Sequence, residues 1–484
     1  MRDDRLIASL VIAVASASLH AEPHAGFDRS TCEHKVDEIA RRHGLSDGQL
    51  GFALLAPDGS LLAGREPDAP MVPASNNKIL TTAAALDTLG PGFTWTTTLY
   101  RRGVKDGSTL AGDLWVKGTG DPNISGRDHD ASTTFLFERW ATALKAAGIT
   151  RVAGDLLLDD FAFDRTWVHP SWPEKFWSAW FGAETSALSL SDNCVAVQIH
   201  APARPQRVDV SIYPETSYVS VLNNCMATRG RPRGEFGIKR HPESNVIYVT
   251  GNVRAGASPE AVWIPVHQPT LFFGTVLRES LERAGIALDG EIREAPLPDA
   301  SQLVEVDRFT SRLDASVRIT NKRSQNFYAE QILKTMGAEL HGLGSFENGL
   351  DAVERYLSRC AGVAAGSYHH ADGSGLSRDN RFSPHAIASV LRAIGGASEG
   401  PAFLDSLPIS GVDGTLEKRM VSGALAGRVR AKTGYLAEVS SLSGYLERGE
   451  DRLPFSILIN APKPKPEMED VEERILEVVL DSFR

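Results

Sequence analysis

The sequence predicts an α+β fold in which strands and helices from the two ends of the chain enclose a β-rich middle. Near the start, "QLGFALLAPDGSLLAGRE" reads as two strands joined by an Asp-Gly turn, and an alanine-rich helical pattern follows it and ends at Gly90. From about 95 to 310, short alternating stretches such as "VAVQIHA" and "NVIYVTGNV" lie between Pro/Gly turns. Helical patterns then return, and the chain closes with the strand-like "GRVRAKTGYL", "SSLSGYLERG" and "LPFSILIN" and a last helix, "DVEERILEVVLDSF".

The first hairpin indicates how the chain is divided. Two strands and one helix have too little core to fold alone, so they need the helices and strands of the C-terminal part. The simplest arrangement is one domain split between residues 22–98 and 312–484, with residues 99–311 inserted into it. A chain of 484 residues is long enough for two or three domains of roughly 100–200 residues each.

Composition and charge limit the class of protein. A hydrophobic content of 42% and a charged content of 23% are typical of a globular chain rather than a disordered one. The net charge of -10, with no basic stretch to offset it, argues against nucleic acid as a partner. Beyond the N-terminus no apolar run approaches the ~20 residues of a membrane span, so we expect no transmembrane segment in the mature chain.

The N-terminus has the pattern of a secretory signal. The basic tip "MRDDR" precedes the apolar run "LIASLVIAVASASL", and small residues follow. We predict that residues 1–21 are removed by cleavage near Ala21, with Ala17 and Ala25 as alternative sites. The mature protein is then expected in the periplasm or elsewhere outside the cytoplasmic membrane. A buried N-terminal helix or an uncleaved anchor is the alternative interpretation.

Cys32, Cys194, Cys225 and Cys360 would lie in an oxidising compartment, where disulfides are permitted. Four cysteines allow three connectivities. We prefer the pairing of Cys194 with Cys225, because both fall in the middle region, and buried free thiols are the alternative. The sequence has no CxxC or HExxH motif and its 13 histidines show no metal-ligand spacing, so we predict no metal and no cofactor.

The stretch "PASNNKILTTAAALDTLG" places a serine and a lysine at the front of the alanine-rich helix. Ser75 and Lys78 are three residues apart and share one helix face, so the amine can reach the hydroxyl. A serine hydroxyl is a weak nucleophile until a base takes its proton, and a lysine is such a base only if burial or a nearby cation lowers its pKa. Lys78 is the one lysine of the sequence with a serine three residues before it. A helix-capping serine is the alternative explanation.

A second cation is available in "RVRAKTGYL" near the C-terminus. Lys432 and Thr433 lie on a strand-like run, and Gly434 allows a ligand backbone to approach closely. A lysine on an edge strand also protects against aggregation, which is the structural alternative.

A Ser-x-Asn triplet would complete a catalytic set, and the sequence contains three. The triplet that begins at Ser75 overlaps the candidate nucleophile, and the one that begins at Ser191 runs straight into the alternating strand "CVAVQIHA". The third opens the helical pattern "FYAEQILKTM" and lies at a loop-to-helix junction. We therefore choose Ser324 and Asn326, although a helix cap is the alternative for either residue.

The motifs Ser-x-x-Lys, Ser-x-Asn and Lys-Thr-Gly together are typical of penicillin-binding proteins and class A β-lactamases, and all three occur here in that order. The chain also contains "KGTGDPNIS", "LLLDDFAFD", "NKRSQNFYAEQILK" and "DGSGLSRDNRFSP". With these blocks it resembles the low-molecular-mass class C penicillin-binding proteins, the D-alanyl-D-alanine carboxypeptidase/endopeptidase family (serine peptidase family S13). The resemblance covers nearly all of the mature chain.

The resemblance implies a β-lactamase/transpeptidase-like domain, an antiparallel sheet covered by helices, with two smaller β-rich domains inserted. Residues 22–98 and 312–484 would form the penicillin-binding domain. The insertion would divide into about 99–122 with 212–311, and 123–211.

For the site, the resemblance implies that Ser75 is the nucleophile and that Lys78 accepts its proton. Ser324 would relay a proton to the leaving amine, and Asn326 would hold Lys78 and the substrate amide. Lys432 would lower the pKa of Lys78 because two like charges lie close together.

The Lys-Thr-Gly strand would bind the substrate. Thr433, with the lysine before it, would hold the terminal carboxylate, and the backbone N–H groups of Ser75 and Tyr435 would form the oxyanion hole beside Gly434. The family usually has threonine after Lys-Thr-Gly, whereas this chain has Tyr435, so the resemblance carries over the role of its backbone N–H but not the contacts of its side chain.

The expected function is that of a serine-type D-alanyl-D-alanine carboxypeptidase/endopeptidase. It would act on peptidoglycan stem peptides that end in D-Ala-D-Ala, through an acyl-enzyme, and would be acylated by β-lactams. The alternatives are a β-lactamase, an esterase or amidase of the same fold, and a non-catalytic peptidoglycan-binding scaffold. The four tryptophans of "TWVHPSWPEKFWSAW" either line a glycan-binding cleft or, as we prefer, pack beneath a long loop.

Overall fold

The computed structural model describes residues 26–127, 132–229 and 236–483. The predicted signal segment, residues 1–21, lies outside the described residues. Within the described part of the chain, no helix is both long enough and apolar enough to cross a bilayer.

The described helices are α1 (Arg29–Arg42), α2 (Asn77–Leu89), α3 (Phe135–Ala146), α4 (Pro269–Arg283), α5 (Leu313–Lys322), α6 (Asn326–His341), α7 (Phe346–Arg359), α8 (Pro384–Gly395), α9 (Gly400–Ser406) and α10 (Lys465–Asp481). The described strands are β1 (Leu50–Leu55), β2 (Leu61–Arg65), β3 (Thr94–Asp106), β4 (Thr109–Lys117), β5 (Arg151–Val152), β6 (Leu156–Asp159), β7 (Cys194–His200), β8 (Asp209–Tyr213), β9 (Ser220–Asn223), β10 (Met226–Thr228), β11 (Gly237–Arg240), β12 (Val246–Thr250), β13 (Asn252–Arg254), β14 (Glu260–Pro265), β15 (Ala287–Leu288), β16 (Ile292–Glu294), β17 (Val304–Arg312), β18 (Val429–Leu436), β19 (Val439–Arg448) and β20 (Asp451–Asn460).

One antiparallel sheet combines strands from both ends of the chain, in the order β18-β19-β20-β1-β2. Successive residues of β20 point to opposite faces of this sheet. Ile457 and Ile459 pack into the core that contains residues of α1 and α10, whereas Leu458 packs into the core that contains residues of α2 and α8. Helices therefore cover both faces of the sheet, and the predicted α+β fold is confirmed.

Helix α2 is buried on all sides over its first ten residues, 77–86. It packs against α5, α6, α7 and α8, and the run Ala83–Ala85 lets these neighbours come close. A helix that is buried all round lies at the centre of its domain rather than on its surface. The polar side chains at its N-terminal end, including Lys78, are consequently held inside the protein.

The middle of the chain forms separate sheets. The largest has the order β15-β5-β4-β3-β17, with β6 pairing β4 and β16 pairing β6, and its core includes Trp140 of α3 and Phe273 of α4. Three smaller sheets have the orders β14-β7-β8, β11-β12-β9 and β10-β13. Residues 151–159 thus belong to the same sheet as β3 and β4.

The predicted disulfide between Cys194 and Cys225 is wrong. All four cysteines are free thiols, because Cys194 packs with Phe327 and Tyr328, whereas Cys225 lies in the core of the inserted sheets. Burial raises the pKa of both thiols, which keeps them protonated.

Candidate active site

Ser75 lies in a short 3-10 turn, residues 74–76, directly before α2. The N-cap residue of α2 is Asn76, so Ser75 is not the capping residue of this helix. Its side chain is half-buried, and its Oγ lies 2.9 Å from the amine Nζ of Lys78. The spacing of three residues therefore brings the hydroxyl and the amine into hydrogen-bond contact.

Lys78 is fully buried, and its amine has three oxygen partners. Nζ lies 2.9 Å from Ser75 Oγ, 2.7 Å from Asn326 Oδ1 and 2.7 Å from the carbonyl oxygen of Ser374. An ammonium group would donate to all three. A neutral amine has two N–H groups for Asn326 and Ser374, which leaves its lone pair directed at the hydroxyl proton of Ser75.

The electrostatics of the pocket favour this neutral form. Burial lowers the pKa of Lys78 from 10.5 to about 7, and it outweighs the nearby carboxyl groups of Asp372 and Glu330, which act in the opposite direction. Near pH 7 a large fraction of Lys78 is consequently neutral and able to accept a proton.

Lys432 forms a second lysine–serine pair. Its Nζ donates to Ser324 Oγ at 2.8 Å and to its neighbour's carbonyl, Thr433 O, at 2.7 Å. Burial first, and then the positive charge of Lys78, lower the pKa of Lys432 well below its ordinary value. The expectation that Lys432 lowers the pKa of Lys78 is therefore wrong. Burial lowers the pKa of Lys78, and the charge of Lys78 contributes to lowering the pKa of Lys432.

The strand β18 runs directly against the turn that carries Ser75. A Cβ atom added to Gly434 would lie 2.8 Å from the backbone nitrogen of Ser75 and 3.1 Å from the carbonyl oxygen of Pro73. Only glycine fits at this separation without movement of the backbone. The close approach places the backbone of β18 beside the N–H group of Ser75.

The two residues on either side of this glycine point away from the turn. Thr433 Oγ1 lies 2.8 Å from Thr415 Oγ1, so the two hydroxyls are paired. Tyr435 is exposed, and Lys465 Nζ lies 5.1 Å from the centre of its ring, within cation–π distance.

Ser324 and Asn326 lie at the start of α6, as the sequence predicts. The backbone of Ser324 has φ of 56°, a left-handed conformation that is uncommon for serine and that positions its side chain toward Lys432. Asn326 uses both ends of its amide: Oδ1 accepts from Lys78, and Nδ2 donates to the carbonyl of Phe181 at 2.9 Å. Phe181 directly follows the tryptophan-rich stretch, so the end of that stretch lies next to the site.

The triplet Ser191-Asp192-Asn193, rejected in the sequence analysis, does not join the two lysine–serine pairs. Asp192 instead forms a bidentate ion pair with Arg127, and it accepts a hydrogen bond from Gln325 Nε2 at 2.7 Å. Since Gln325 follows Ser324 in the chain, this inserted region braces the loop that carries Ser324.

Several polar groups at the site were missed by sequence reasoning. Glu330 is fully buried, accepts the backbone N–H groups of Gly373 and Ser374 at 2.9 and 2.8 Å, and has a pKa raised by burial to about 8. It follows Asn326 by four residues and so shares its helix face, which is a signal that could have found it. The carbonyl of Ser374 could not have been found, because a backbone acceptor has no signature in the sequence.

Asn76 also links two elements of the site. With its amide oriented to satisfy both neighbours, it donates to the carbonyl of Lys432 at 2.8 Å and accepts from Ser443 Oγ at 2.6 Å. The turn that carries Ser75 is thereby tied to β18 by a side chain as well as by close packing.

The tryptophan-rich stretch is split between packing and exposure. Trp172 is buried and donates to Asp372 Oδ2 at 2.8 Å, and Trp167 packs edge-on against His267. These two fit the preferred interpretation of packing. Trp180, in contrast, is 44% exposed.

A helix-covered antiparallel sheet with this pair of lysine–serine contacts defines a serine acyl-transfer enzyme of the penicillin-binding class. The chain belongs to the D-Ala-D-Ala carboxypeptidase 3 (S13) family, whose sequence profile matches residues 32–479. The family, the fold and the enzyme class, a serine-type D-Ala-D-Ala carboxypeptidase, are therefore confirmed as predicted.

Individual relatives agree with this assignment. A D-alanyl-D-alanine carboxypeptidase of Actinomadura sp. (strain R39) is 32% identical over 460 residues, which cover 91% of this chain and 84% of the relative. The D-alanyl-D-alanine carboxypeptidase DacB of Haemophilus influenzae is 27% identical over 397 residues, which cover 81% and 80% of the two chains.

Solved structures show the same fold. The crystal structure of penicillin-binding protein 4 (dacB) from Haemophilus influenzae matches with a TM-score of 0.80 at 24% identity, covering 91% of this chain and 98% of that one. A second crystal structure of that protein, complexed with a β-lactam, matches with a TM-score of 0.74 and covers 92% and 98% of the two chains.

Proposed function

We propose that this carboxypeptidase cleaves the bond between the two D-alanines of a peptidoglycan stem peptide through an acyl-enzyme on Ser75. The observation that carries the proposal is the 2.9 Å contact between Lys78 Nζ and Ser75 Oγ, in a buried place where the pKa of Lys78 is about 7. A hydroxyl needs a base to become a nucleophile, and this is the group in contact with it.

In the acylation step, Ser75 Oγ bonds to the carbonyl carbon of the penultimate D-alanine while Lys78 takes the hydroxyl proton. The carbonyl oxygen becomes negative and is held by the backbone N–H groups of Ser75 and Tyr435. The bond from that carbon to the terminal amine then breaks.

The leaving amine needs a proton, and Ser324 is placed to supply it. Because Ser324 Oγ accepts a hydrogen bond from Lys432, its own proton is free to point toward the substrate. Ser324 passes this proton to the leaving amine and regains one from Lys78, which took it from Ser75, so the site neither gains nor loses a proton in acylation. Asn326 holds Lys78 through Oδ1 and the substrate amide through the second N–H of Nδ2, and Lys432 with Thr433 binds the terminal carboxylate, which replaces the contact of Thr433 with Thr415. Water then attacks the ester, which releases the shortened peptide and restores the hydroxyl of Ser75.

We also propose that β-lactams acylate Ser75, because their strained amide resembles the bond that is cut. The substrate lies outside the cytoplasmic membrane, and the N-terminal signal pattern of residues 1–21 supports the periplasm or another extracytoplasmic location for the mature enzyme.

The sheets support a domain division that we propose as follows. The five-stranded sheet and its helices support the penicillin-binding domain of residues 22–98 and 312–484. The inner boundaries predicted from the sequence do not follow the sheets, because residues 151–159 pair with β4 in the seven-stranded sheet. We place the inner nested domain at about 191–265 instead.

Mass spectrometry after incubation with benzylpenicillin tests the nucleophile. We expect one covalent adduct on the peptide that contains Ser75, no adduct on the Ser75→Ala variant, and an unchanged adduct on the Ser60→Ala variant, since Ser60 is exposed in a hairpin turn. An adduct that persists on Ser75→Ala would refute the assignment. An adduct that survives for hours separates this enzyme from a β-lactamase, and release of D-alanine from a D-alanyl-D-alanine peptide separates it from an esterase.

A further inference from the structure

An open cleft of about 550 Å³ lies beside the loop that carries Ser324. It is lined by Gln325, which follows that serine, and by Trp180. The neighbour of Trp180, Phe181, accepts a hydrogen bond from Asn326 at 2.9 Å. The cleft therefore borders the residues to which we assign the leaving group and the substrate amide.

The floor of the cleft is one face of the sheet β14-β7-β8. Trp263, Ala196 and Tyr213 lie opposite one another on the three strands, so their side chains form a single row on that face. The small Ala196 in the middle leaves a trough between two aromatic side chains. Trp263 is 42% exposed and Tyr213 is 38% exposed, and Trp180 forms a third exposed aromatic surface in the same cleft.

The trough continues beyond the cleft. A second hollow of about 430 Å³ shares Gln198 and Tyr213 with the first, and it extends past the end of β8 to Glu215 and Thr216. Two adjacent hollows that share lining residues suit a linear chain better than a compact ligand.

The charged pair on the wall of the cleft is already neutralised. Arg127 and Asp192 hold each other through two hydrogen bonds, so a ligand meets this pair as a polar surface without net charge. Such a surface, together with aromatic faces, the amide of Gln198 and the exposed guanidinium of Arg323, offers hydrogen-bond partners to a hydroxyl- and amide-rich ligand.

We propose that this groove binds the glycan strand to which the stem peptide is attached. The faces of a sugar ring carry C–H groups that pack on aromatic rings, while its hydroxyl and acetamido groups bond to polar side chains at the edges. Trp180, Trp263 and Tyr213 provide the rings, and Gln198 and Arg127 provide polar edges. This inference deepens the proposed function, on which it rests, by assigning the saccharide part of the same substrate.

The test compares two substrates that share one pentapeptide ending in D-Ala-D-Ala, one of them free and the other attached to a glycan oligomer. The readout is the ratio of kcat/KM for the glycan-bearing substrate to kcat/KM for the free peptide. We expect a ratio of roughly tenfold or more for the wild type, the typical effect of one well-placed aromatic contact. Trp263→Ala and Trp180→Ala should each reduce the ratio toward one.

Tyr248→Ala is the matched control, because Tyr248 is 40% exposed on β12, a strand of the separate sheet β11-β12-β9, and does not line either hollow. Its ratio should equal that of the wild type. A wild-type ratio near one, or a high ratio that survives both tryptophan substitutions, would overturn the proposal. A preference for a cross-linked peptide without sugars, lost in Trp263→Ala, would also overturn it and assign the groove to peptide.

A binding measurement separates this proposal from the catalytic one. The Ser75→Ala variant, titrated with an N-acetylglucosamine tetramer, should show a change in tryptophan fluorescence that Trp263→Ala in the same background removes. Absence of that change refutes the glycan subsite even if the free peptide is hydrolysed. If the fluorescence change were seen but the wild type hydrolysed neither substrate, the glycan subsite would be supported and the proposed reaction would be refuted.

Discussion

Lys432 donates a hydrogen bond to Ser324 at 2.8 Å across 108 positions of sequence. The contact joins the last part of the polypeptide to the start of α6 and gives the site two separate lysine–serine pairs. Lys78 and Ser75 form the other pair, within one helical turn. In the proposed mechanism the pair of Lys78 and Ser75 makes the nucleophile, and the pair of Lys432 and Ser324 completes the proton path.

The acylation rate should depend on pH through Lys78. Only the neutral amine accepts a proton, and burial lowers its pKa to about 7, so the rate constant for benzylpenicillin acylation should rise with pH and level off above about 7. Below that pH each unit should reduce it roughly tenfold. Lys78→Arg, whose guanidinium stays charged, should form no adduct at any of these values. A rate constant that is flat from pH 5 to 8 would contradict this role.

Gly434→Ala should block acylation. The added Cβ would lie 2.8 Å from the nitrogen of Ser75, so the strand must move away from the turn and the oxyanion hole should be lost. Loss of one oxyanion donor typically costs roughly 100- to 1000-fold in rate. Gly92→Ala is the control, because no atom lies within 4 Å of a Cβ placed there. Equal acylation rates for the two variants would show that β18 does not form the hole.

Removal of Asp192 should destabilise the protein. Arg127 would keep its charge in a largely buried place without its partner, which typically costs roughly 3 kcal/mol. Urea unfolding of Asp192→Ala should show this loss. The double variant Arg127→Met with Asp192→Leu should recover part of it, because no charge is then left unpaired. If the double variant instead lost at least as much free energy of unfolding as Asp192→Ala, the two side chains would not be energetically coupled.

Glu330 should make stability depend on pH. The pKa of Glu330 is raised to about 8 in the folded protein. The stability that the protonated carboxyl group contributes is therefore fully present below the pKa of the unfolded chain and is lost as the pH rises through about 8. The free energy of unfolding of the wild type, relative to that of Glu330→Gln, should therefore fall between pH 5 and pH 9. Glu347→Gln, at an exposed position, should show no such trend. If the difference in free energy of unfolding between the wild type and Glu330→Gln did not change with pH, the pKa of Glu330 would be close to that of an ordinary glutamate.

The sequence was sufficient for the fold class, because β1 is an apolar run that ends at a clear turn and β19 and β20 are strand-like runs of 10 residues each. The pairing of β5 and β6 with β4 was not predictable, since these strands have only 2 and 4 residues and pair in parallel with a strand that lies on the other side of α3 in the chain. Short strands in non-local pairs give no periodic signal.

The site shows the same division. Ser324 and Asn326 could be chosen because the order of the three motifs and the start of a helical pattern can both be recognised in the sequence. The positive charge of one lysine lowers the pKa of the other, and burial decides which of the two pKa values is lowered. Cys194 is a free thiol because of the core in which it packs. Neither property follows from the spacing of residues in the sequence.

The pairing of β1 with β20 has a consequence for biosynthesis. The first strand of the central sheet leaves the ribosome about four hundred residues before its partner Leu458 does, and Lys432 follows the whole insertion. A nascent or prematurely terminated chain therefore holds Ser75 without its sheet or its proton relay. An enzyme of this topology therefore stays inert until the synthesis of its chain is almost finished.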